Sequence, residues 1–214
     1  MELLIATRST GKIREICRIL ADVRGLVVRD LQELGIEFDP AEDDLEPYDT
    51  FEENALSKAR YFFERSGLPT VADDSGIAVD ALGGKPGVRS KRFAPDRGLE
   101  GAARDQANNE YLVQQLSDVS PELRTARYVC VAVLVASDRT PLQLRGEAPG
   151  VIVDNPHGSG GFGYDPFVLD PELGKTFAEM SGPEKDARSH RGDAFRALAG
   201  VLRTEISSHK EVQK

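Results

Sequence analysis

The sequence predicts an α/β protein built around a mixed β-sheet. The chain has 214 residues and is 40% hydrophobic, which is enough to bury a sizeable core. Strand-like and helix-like segments alternate at first, and strand-like segments then cluster in the middle, a pattern typical of an α/β fold with a mixed sheet. No linker rich in Pro, Gly or Ser divides the chain. We therefore predict one domain over residues 1–206, followed by a polar tail over 207–214 that frays.

The elements follow from local patterns taken in chain order. An apolar run at residues 3–6 predicts a buried strand, and a helix follows it at once. A second strand is predicted at 26–28. Thr50 begins a capping box, which opens a helix that ends near Gly67. The later elements are a strand at 70–72 that ends on the D-D-S-G sequence at 73–76, a helix at 102–116, strands at 128–135 and 151–153, and a helix at 195–202.

Charge and composition exclude several classes of protein. The chain carries 27 basic and 36 acidic residues, a net charge of −9, so a groove for a nucleic-acid polymer is not expected. A pocket for a small anion needs only a few local cations and stays possible. No apolar run is long enough for a membrane span, and the short acidic N-terminus does not resemble a signal peptide, so we expect a cytoplasmic protein.

Two further features have simple structural interpretations. Cys17 and Cys130 lie in apolar stretches and cannot form a disulfide scaffold or a zinc site alone, so both are predicted to be buried thiols. The acidic segment at 39–49 is predicted to be a solvated loop.

Residues 7–12 join a predicted strand to a predicted helix. They lack the first glycine and the Ser or Thr of a P-loop. Hydroxyls, a glycine and a lysine at a helix N-terminus nevertheless favour an anion such as a triphosphate. The alternative is an ordinary helix cap by Ser9 or Thr10, with Lys12 in solvent.

Three other motifs each allow a functional and a structural interpretation. The two acids of D-D-S-G suit magnesium, although turns use the same residue types. The G-F-G-Y-D-P sequence at 161–166 offers aromatic rings that could stack on a purine, or a tight turn with buried rings. Lys185 with the S-H-R sequence at 189–191 supplies mainly hydrogen-bond donors, which suit a base with carbonyl oxygens, or forms a solvated basic turn.

Taken in order, six motifs resemble one family. They are T-x-x-x-x-K, T-F-x-x-N-A-x-x-K-A, A-D-D-S-G, G-G-x-P-G-V-x-S, G-F-G-Y-D-P and S-H-R, spread from residue 5 to about 196. The pattern is similar to the inosine triphosphate pyrophosphatase family, the XTP/dITP diphosphatases. The resemblance implies a two-lobed α/β fold with a long mixed sheet flanked by helices, an active-site cleft between the lobes, and a homodimer. It also implies magnesium-dependent hydrolysis of ITP, dITP or XTP to the monophosphate and pyrophosphate.

The resemblance also implies roles for individual residues. Asp74 would activate water, with Lys12 and Lys58 on the phosphates, and Asp74 and Glu46 would bind the metal. The remaining substrate contacts would come from Thr7, Arg8, Ser9, Thr10, Gly11, Ser75, Phe162, Gly163, Tyr164, Asp165, Lys185, His190 and Arg191.

Two departures accompany the resemblance. Arg8 and Ser9 replace the family's usual Gly-Asn, and the segment between Glu46 and Thr50 departs from the usual E-T-G. Two other functions stay open: a regulatory module that binds nucleotides without turnover, and an enzyme acting on modified pyrimidine triphosphates. The acids at 46, 73 and 74 argue against the first, and the G-F-G-Y-D-P and S-H-R motifs argue against the second.

Overall fold

The predicted mixed sheet is confirmed. A computed structural model describes residues 1–137 and 139–212, and its seven strands form one sheet in the order β2-β1-β3-β4-β5-β6-β7. The strands are β1 Glu2–Ile5, β2 Val27–Asp30, β3 Thr70–Val79, β4 Thr125–Val135, β5 Leu142–Ile152, β6 Val168–Asp170 and β7 Lys175–Thr176. The helices are α1 Thr10–Leu20, α2 Phe51–Ser66, α3 Gly101–Gln115, α4 Gly182–Arg188 and α5 His190–Val212.

The sheet combines parallel and antiparallel pairs. β1 runs parallel to β2, with Leu3 opposite Val28, and parallel to β3, with Ile5 opposite Val71. β6 is antiparallel to both β5 and β7. Parallel neighbours need crossover connections, which α1 supplies between β1 and β2.

The predicted boundaries of the second helix are also correct. The Thr50 hydroxyl accepts a hydrogen bond from the Glu53 amide at 3.2 Å, which satisfies a donor at the start of α2. Gly67 ends the helix with φ of +67°, a left-handed conformation that glycine adopts without a steric penalty.

The chain divides into two compact units. Unit 1 comprises Met1–Asp74, Cys130–Gly146 and the chain from Arg191, and unit 2 comprises Ser75–Val129 and Glu147–His190. The unit 1 core is a buried cluster whose members include Leu3, Ile16, Val71, Leu134, Phe195 and Leu202. The unit 2 core includes Ile77, Leu112, Tyr128, Ile152, Val168 and Phe177.

The prediction that a strand ends on the D-D-S-G sequence was wrong. β3 continues through these residues to Val79, and Asp73 and Asp74 are both buried within it. Polar residues of this type favour turns because their side chains compete for backbone hydrogen bonds. Here they remain in the strand because both carboxylates are paired with basic side chains.

Two further predictions need correction, one about a cysteine and one about the acidic segment. Cys130 is buried as expected, but Cys17 is exposed. The buried face of α1 consists of Glu15, Ile16 and Leu20, which turns Cys17 outward. The acidic segment has no buried residue, as expected for a solvated segment, but it is not all loop, because Pro40–Asp44 forms a 3₁₀ helix with a capping box between Asp39 and Glu42.

The C-terminal helix is longer than the sequence pattern predicts. α5 extends through Val212, so most of the tail predicted at 207–214 lies in this helix. The last two residues of that tail lie outside the described residues. Within the ranges described, no helix combines the length and apolar character needed to cross a membrane.

Candidate functional site

The turn after β1 presents the start of α1. Ser9 is the N-cap, and its hydroxyl accepts a hydrogen bond from the Lys12 amide at 3.4 Å. The Thr7 hydroxyl accepts one from the Ser9 amide. Thr10 and Gly11 lie in the first turn of the helix, and this first turn contains no acidic residue. Backbone N–H groups in such a turn, together with the helix dipole, attract an anion.

Lys12 does not point into solvent as the capping alternative supposed. Its Nζ lies 3.0 Å from Oδ2 of Asp73, whose side chain is completely buried. Arg191 Nη2 contacts the same oxygen at 3.1 Å, and the Cys130 thiol lies 3.7 Å from it. Burial opposes ionisation of Asp73, but the positive charges of Lys12, Arg191 and Lys58 prevail and hold its pKa well below the usual range.

Arg191 joins this group through a second carboxylate. Its Nη1 donates to Glu15 Oε2 at 2.7 Å, and its side chain is only 2% exposed. Burial lowers the pKa of Arg191, while Asp73 and Glu15 raise it, with a net increase. The guanidinium that the resemblance assigns to the base is therefore bound to Asp73 and Glu15 in unit 1. We call Lys12, Glu15, Asp73 and Arg191 the Asp73 cluster.

The neighbouring Asp74 enters a separate network, as expected for successive residues of a strand, which face opposite sides. Lys58 Nζ lies 2.5 Å from Glu46 and 3.8 Å from Asp74, and it also donates to the Asp73 carbonyl at 2.6 Å. Asn54, one helical turn before Lys58, donates to Asp74 Oδ2 at 3.0 Å. The structure thus brings together Asp74, predicted to activate water and bind the metal, Glu46, predicted as the second metal ligand, and Lys58, predicted to contact the phosphates. We call these three residues and Asn54 the Asp74 group.

Electrostatics in the Asp74 group favour an added cation. Burial raises the pKa of Asp74, Lys58 opposes this and Glu46 reinforces it, with a net increase. Burial lowers the pKa of Lys58, but Glu46, Asp74 and Asp73 together raise it. A bound divalent ion would stabilise both carboxylates in their ionised form.

The donor set of this group fits magnesium. Mg²⁺ is commonly held by one or two protein carboxylates, with substrate phosphates and waters as the other ligands. Asp74 and Glu46 supply two such carboxylates. No cluster of three or more His, Cys, Asp or Glu side chains that could hold a metal lies among the residues described.

Arg8 makes contacts that the sequence did not indicate. Its guanidinium donates two hydrogen bonds to the Glu42 carboxylate, at 2.7 and 3.0 Å. It also donates to the carbonyl oxygens of Ile36 and Glu37 at 2.8 and 2.9 Å. This side chain is thus bound to the acidic segment.

In unit 2, Asp165 is the centre of a third group. Its Oδ2 accepts hydrogen bonds from Lys185 Nζ at 2.6 Å and from the Phe162 amide at 2.8 Å. The Tyr128 hydroxyl contacts Oδ1 at 3.2 Å. Gly161 has φ of +70°, and a Cβ at this position would clash with the Asp165 carboxylate, so the loop requires glycine here. Tyr128, Phe162, Asp165 and Lys185 form what we call the Asp165 cluster.

The two aromatic residues of the G-F-G-Y-D-P loop differ in exposure. Tyr164 is buried, and its hydroxyl donates to the Ser90 carbonyl at 2.8 Å. Phe162 is half-buried, with Lys185 Nζ 4.8 Å from its ring centre. Tyr164 therefore has the tight-turn role, whereas Phe162 keeps part of its surface accessible to a ligand.

His190 and Ser75 are the remaining predicted residues. His190 is buried, and its ring stacks on Tyr128 with the centroids 4.7 Å apart and the planes inclined by 14°. It therefore lies next to the Asp165 cluster. Ser75 is half-buried in β3, immediately after Asp74.

Sequence reasoning missed several supporting residues. Asp105 accepts a hydrogen bond from the Gly163 amide at 3.0 Å, and Asn109 donates to the Gly163 carbonyl at 2.9 Å, so α3 fixes this loop. Helical spacing could have indicated two of them. Glu15 lies three residues after Lys12, and Asn54 lies four residues before Lys58, so each shares a helix face with its lysine. Nothing in the sequence pattern pointed to Tyr128.

Comparison with known proteins agrees with the resemblance drawn from the six motifs. A dITP/XTP pyrophosphatase of Halorhodospira halophila is 47% identical over 209 residues, which cover 97% of this chain and all of that protein. A dITP/XTP pyrophosphatase of Pectobacterium atrosepticum is 48% identical over 204 residues, covering 94% of this chain and 98% of that protein.

Solved structures agree as well. The Staphylococcus aureus Ham1 protein superposes with a TM-score of 0.79 at 35% identity, over 96% of this chain and 100% of that one. A nucleoside-triphosphatase, dITP/XTP pyrophosphatase, from Mycobacterium abscessus superposes with a TM-score of 0.69 at 40% identity, over 94% of this chain and 99% of that one. The Ham1 family profile matches residues 3–201. The chain therefore belongs to the Ham1 family.

Proposed function

We propose that this protein hydrolyses deaminated purine nucleoside triphosphates, ITP, dITP and XTP, to the monophosphate and pyrophosphate. Relatives named dITP/XTP pyrophosphatase match it over nearly its whole length, and on that basis the chain is a nucleoside-triphosphate diphosphatase. The observation that carries the proposal further is the Asp74 group, in which Lys58 contacts both the buried carboxylate of Asp74 and that of Glu46.

The phosphate chain would bind in unit 1. The first turn of α1 supplies backbone N–H groups, and Lys12 and Lys58 supply positive charge. An ammonium group has three N–H donors, and Asp73 Oδ2 engages one from Lys12. Lys12 can thus be held by Asp73 and still contact a phosphate oxygen.

In the proposed reaction, water attacks the α-phosphorus while the bond to the bridging oxygen of the β-phosphate breaks. Asp74 accepts a proton from the water, and pyrophosphate leaves with the bonding electron pair. General-base assistance of this kind is typically worth about 10²–10⁴-fold. Lys12 and Lys58 would stabilise the charge that develops on the leaving group.

Magnesium is the cofactor we propose. Asp74 and Glu46 would hold it, and when bound it would neutralise negative charge on the phosphate oxygens. Lys58 keeps these two carboxylates near each other before the ion binds.

The base would bind in unit 2, at the Asp165 cluster. Phe162 offers a partly accessible ring for stacking, and Lys185 is a donor for a 6-oxo group. Adenine carries an amino group at that position, so its binding would leave donors unmatched, and such mismatches can cost on the order of 10⁴–10⁵ in selectivity. His190 packs beside this group.

The decisive experiment measures pyrophosphate release from ITP, dITP, XTP, ATP, GTP and dUTP, with and without Mg²⁺. We expect magnesium-dependent release mainly from the first three. Release from dUTP alone would indicate a pyrimidine enzyme, and binding of ITP without release would indicate a regulatory module. The homodimer stays a prediction that light scattering of the purified protein would test.

A further inference from the structure

Arg8 holds the acidic segment against the start of α1. Four hydrogen bonds run from its guanidinium to oxygens of residues 36, 37 and 42, and they use Nε, Nη1 and Nη2. A guanidinium has five N–H donors, so this one has little capacity left for a phosphate. Two parallel bonds to one carboxylate also fix the relative orientation of the two side chains.

Glu42 is built into the segment that it anchors. Its side chain is only 8% exposed, and its Oε1 also accepts a hydrogen bond from the Asp39 amide at 3.1 Å. The other end of this capping box is attached to α2, because Arg65 contacts Asp39 at 3.2 Å. The 3₁₀ helix is therefore held by two contacts, one from Arg8 to Glu42 and one from Arg65 to Asp39.

The segment held in this way continues to Glu46, a member of the Asp74 group. Glu46 follows Glu42 by four residues, and its carboxylate meets Lys58. A shift of the segment would move Glu46 away from Lys58 and Asp74. Arg8 is thereby linked to these residues without touching them.

We propose that Arg8 is a positioning residue for Glu46. It acts through Glu42, orders residues 36–46, and is not a ligand of the substrate phosphates. This inference rests on the proposed function, in which Glu46 and Asp74 hold the metal ion. It explains why arginine can occupy a position where the resembled family usually has glycine.

The test compares Arg8→Gln, Glu42→Gln and the double variant with the unaltered chain. Hydrogen exchange of the amides at 39–46 is measured without nucleotide or metal. The Mg²⁺ concentration for half-maximal ITP hydrolysis is measured separately from the KM for ITP at saturating Mg²⁺. Arg14→Gln, an exposed arginine of α1, is the matched control.

We expect both single variants to exchange faster at 39–46 and to need roughly tenfold more Mg²⁺, a typical effect of losing a residue that supports a metal ligand. The KM for ITP should stay unchanged, and the double variant should be no worse than either single one. Arg8→Lys should fail to restore function, because lysine cannot form the paired bonds.

Opposite results would overturn the proposal. If Arg8 binds phosphate, Arg8→Gln raises the KM for ITP, leaves exchange at 39–46 unchanged, and is rescued by Arg8→Lys. Absence of pyrophosphate release from the unaltered chain would instead refute the proposed function. Hydrogen exchange at 39–46 would still report on the contact between Arg8 and Glu42 in that case, since the measurement requires neither substrate nor turnover.

Discussion

The Asp73 cluster and the Asp165 cluster both centre on a buried aspartate paired with a lysine, yet their chemistry differs. Asp73 is surrounded by charged groups, with Lys12 and Arg191 on one oxygen and Glu15 beyond the arginine. Asp165 is paired with the cation Lys185, and it also contacts a phenol and a backbone amide.

This difference matches the parts of the proposed substrate. The Asp73 cluster carries Lys12 at the start of α1, and an ammonium group there suits a triphosphate, whose charge must be neutralised as pyrophosphate leaves. Aromatic surface with a few fixed donors suits a purine, whose recognition depends on stacking and on matched hydrogen bonds. The two clusters therefore predict different consequences of substitution, one on turnover and stability, the other on affinity.

The largest effect is expected for Asp74→Asn, next to the Asp73 cluster. The amide cannot accept a proton, so kcat should fall by roughly 10²–10⁴-fold while the fold is retained. Steady-state pyrophosphate release with ITP measures this, and circular dichroism checks the fold. Asp44→Asn, at an exposed acid, is the control. Undiminished turnover of Asp74→Asn would remove it from the mechanism.

Arg191→Met should give the largest loss of stability. It leaves Asp73 and Glu15 buried without their shared cation, which typically costs about 3–5 kcal/mol. Urea denaturation measures the free energy of unfolding. Arg196→Met, an arginine of α5 whose side chain is 46% exposed, should change it little. Equal values for both variants would mean that the buried cluster contributes no more than a surface pair.

Lys185→Met should have a smaller effect on stability and a clear effect on substrate affinity. Asp165 keeps two donors, the Tyr128 hydroxyl and the Phe162 amide, so we expect a loss of about 1–3 kcal/mol. The KM for ITP should rise more than kcat falls, because the base loses a donor. Lys175→Met, at an exposed lysine paired with Glu184, controls for loss of charge. A fall in kcat at constant KM would contradict the assignment.

Asp170 lies outside both clusters and serves as a reference. Its substitution should have a smaller effect on the free energy of unfolding, and that effect should depend on pH. It is buried and accepts two hydrogen bonds from Arg188 and two from backbone amides. Burial opposes its ionisation, but the Arg188 contacts prevail and lower its pKa. Asp170→Asn should cost about 1–2 kcal/mol at pH 7.

The sign of the pH dependence follows from that lowered pKa. The ionised carboxylate stabilises the fold above the unfolded-state pKa near 3.9, and this contribution is lost as the pH falls through the folded-state value. The stability difference between Asp170→Asn and the unaltered chain should therefore shrink below about pH 4. Glu172→Gln, which removes an exposed partner of the same arginine, should show a smaller difference at pH 7. A difference that is constant with pH would exclude the charged pair as its source.

The sequence was sufficient to predict the fold class and most elements. Apolar runs and capping residues located β1, α2 and the C-terminal helix, because these signals depend on neighbours in the chain. The D-D-S-G sequence misled because its residue types favour turns, and only the basic side chains that pair with its acids keep it in a strand.

The partners of the site residues were less predictable. Arg191 lies 118 positions from Asp73 and 176 from Glu15, and no local pattern connects them. Arg8 likewise finds Glu42 at 34 positions along the chain. The motifs predict which residues carry chemistry, but they do not predict which side chains each of these residues contacts.

The long separation between Arg191 and its two carboxylates has a consequence during protein synthesis. A ribosome completes β1, α1 and β3 well before it reaches residue 191, so the emerging chain contains Asp73, Lys12 and Glu15 without their arginine. The charge balance of unit 1 is completed only when the last helix docks. Contacts between residues so distant in sequence also slow folding, because a long loop must close before they form. Assembly of the Asp73 cluster therefore waits until residue 191 and the helix that carries it have been synthesised, and a product that terminates before residue 191 would lack the cluster.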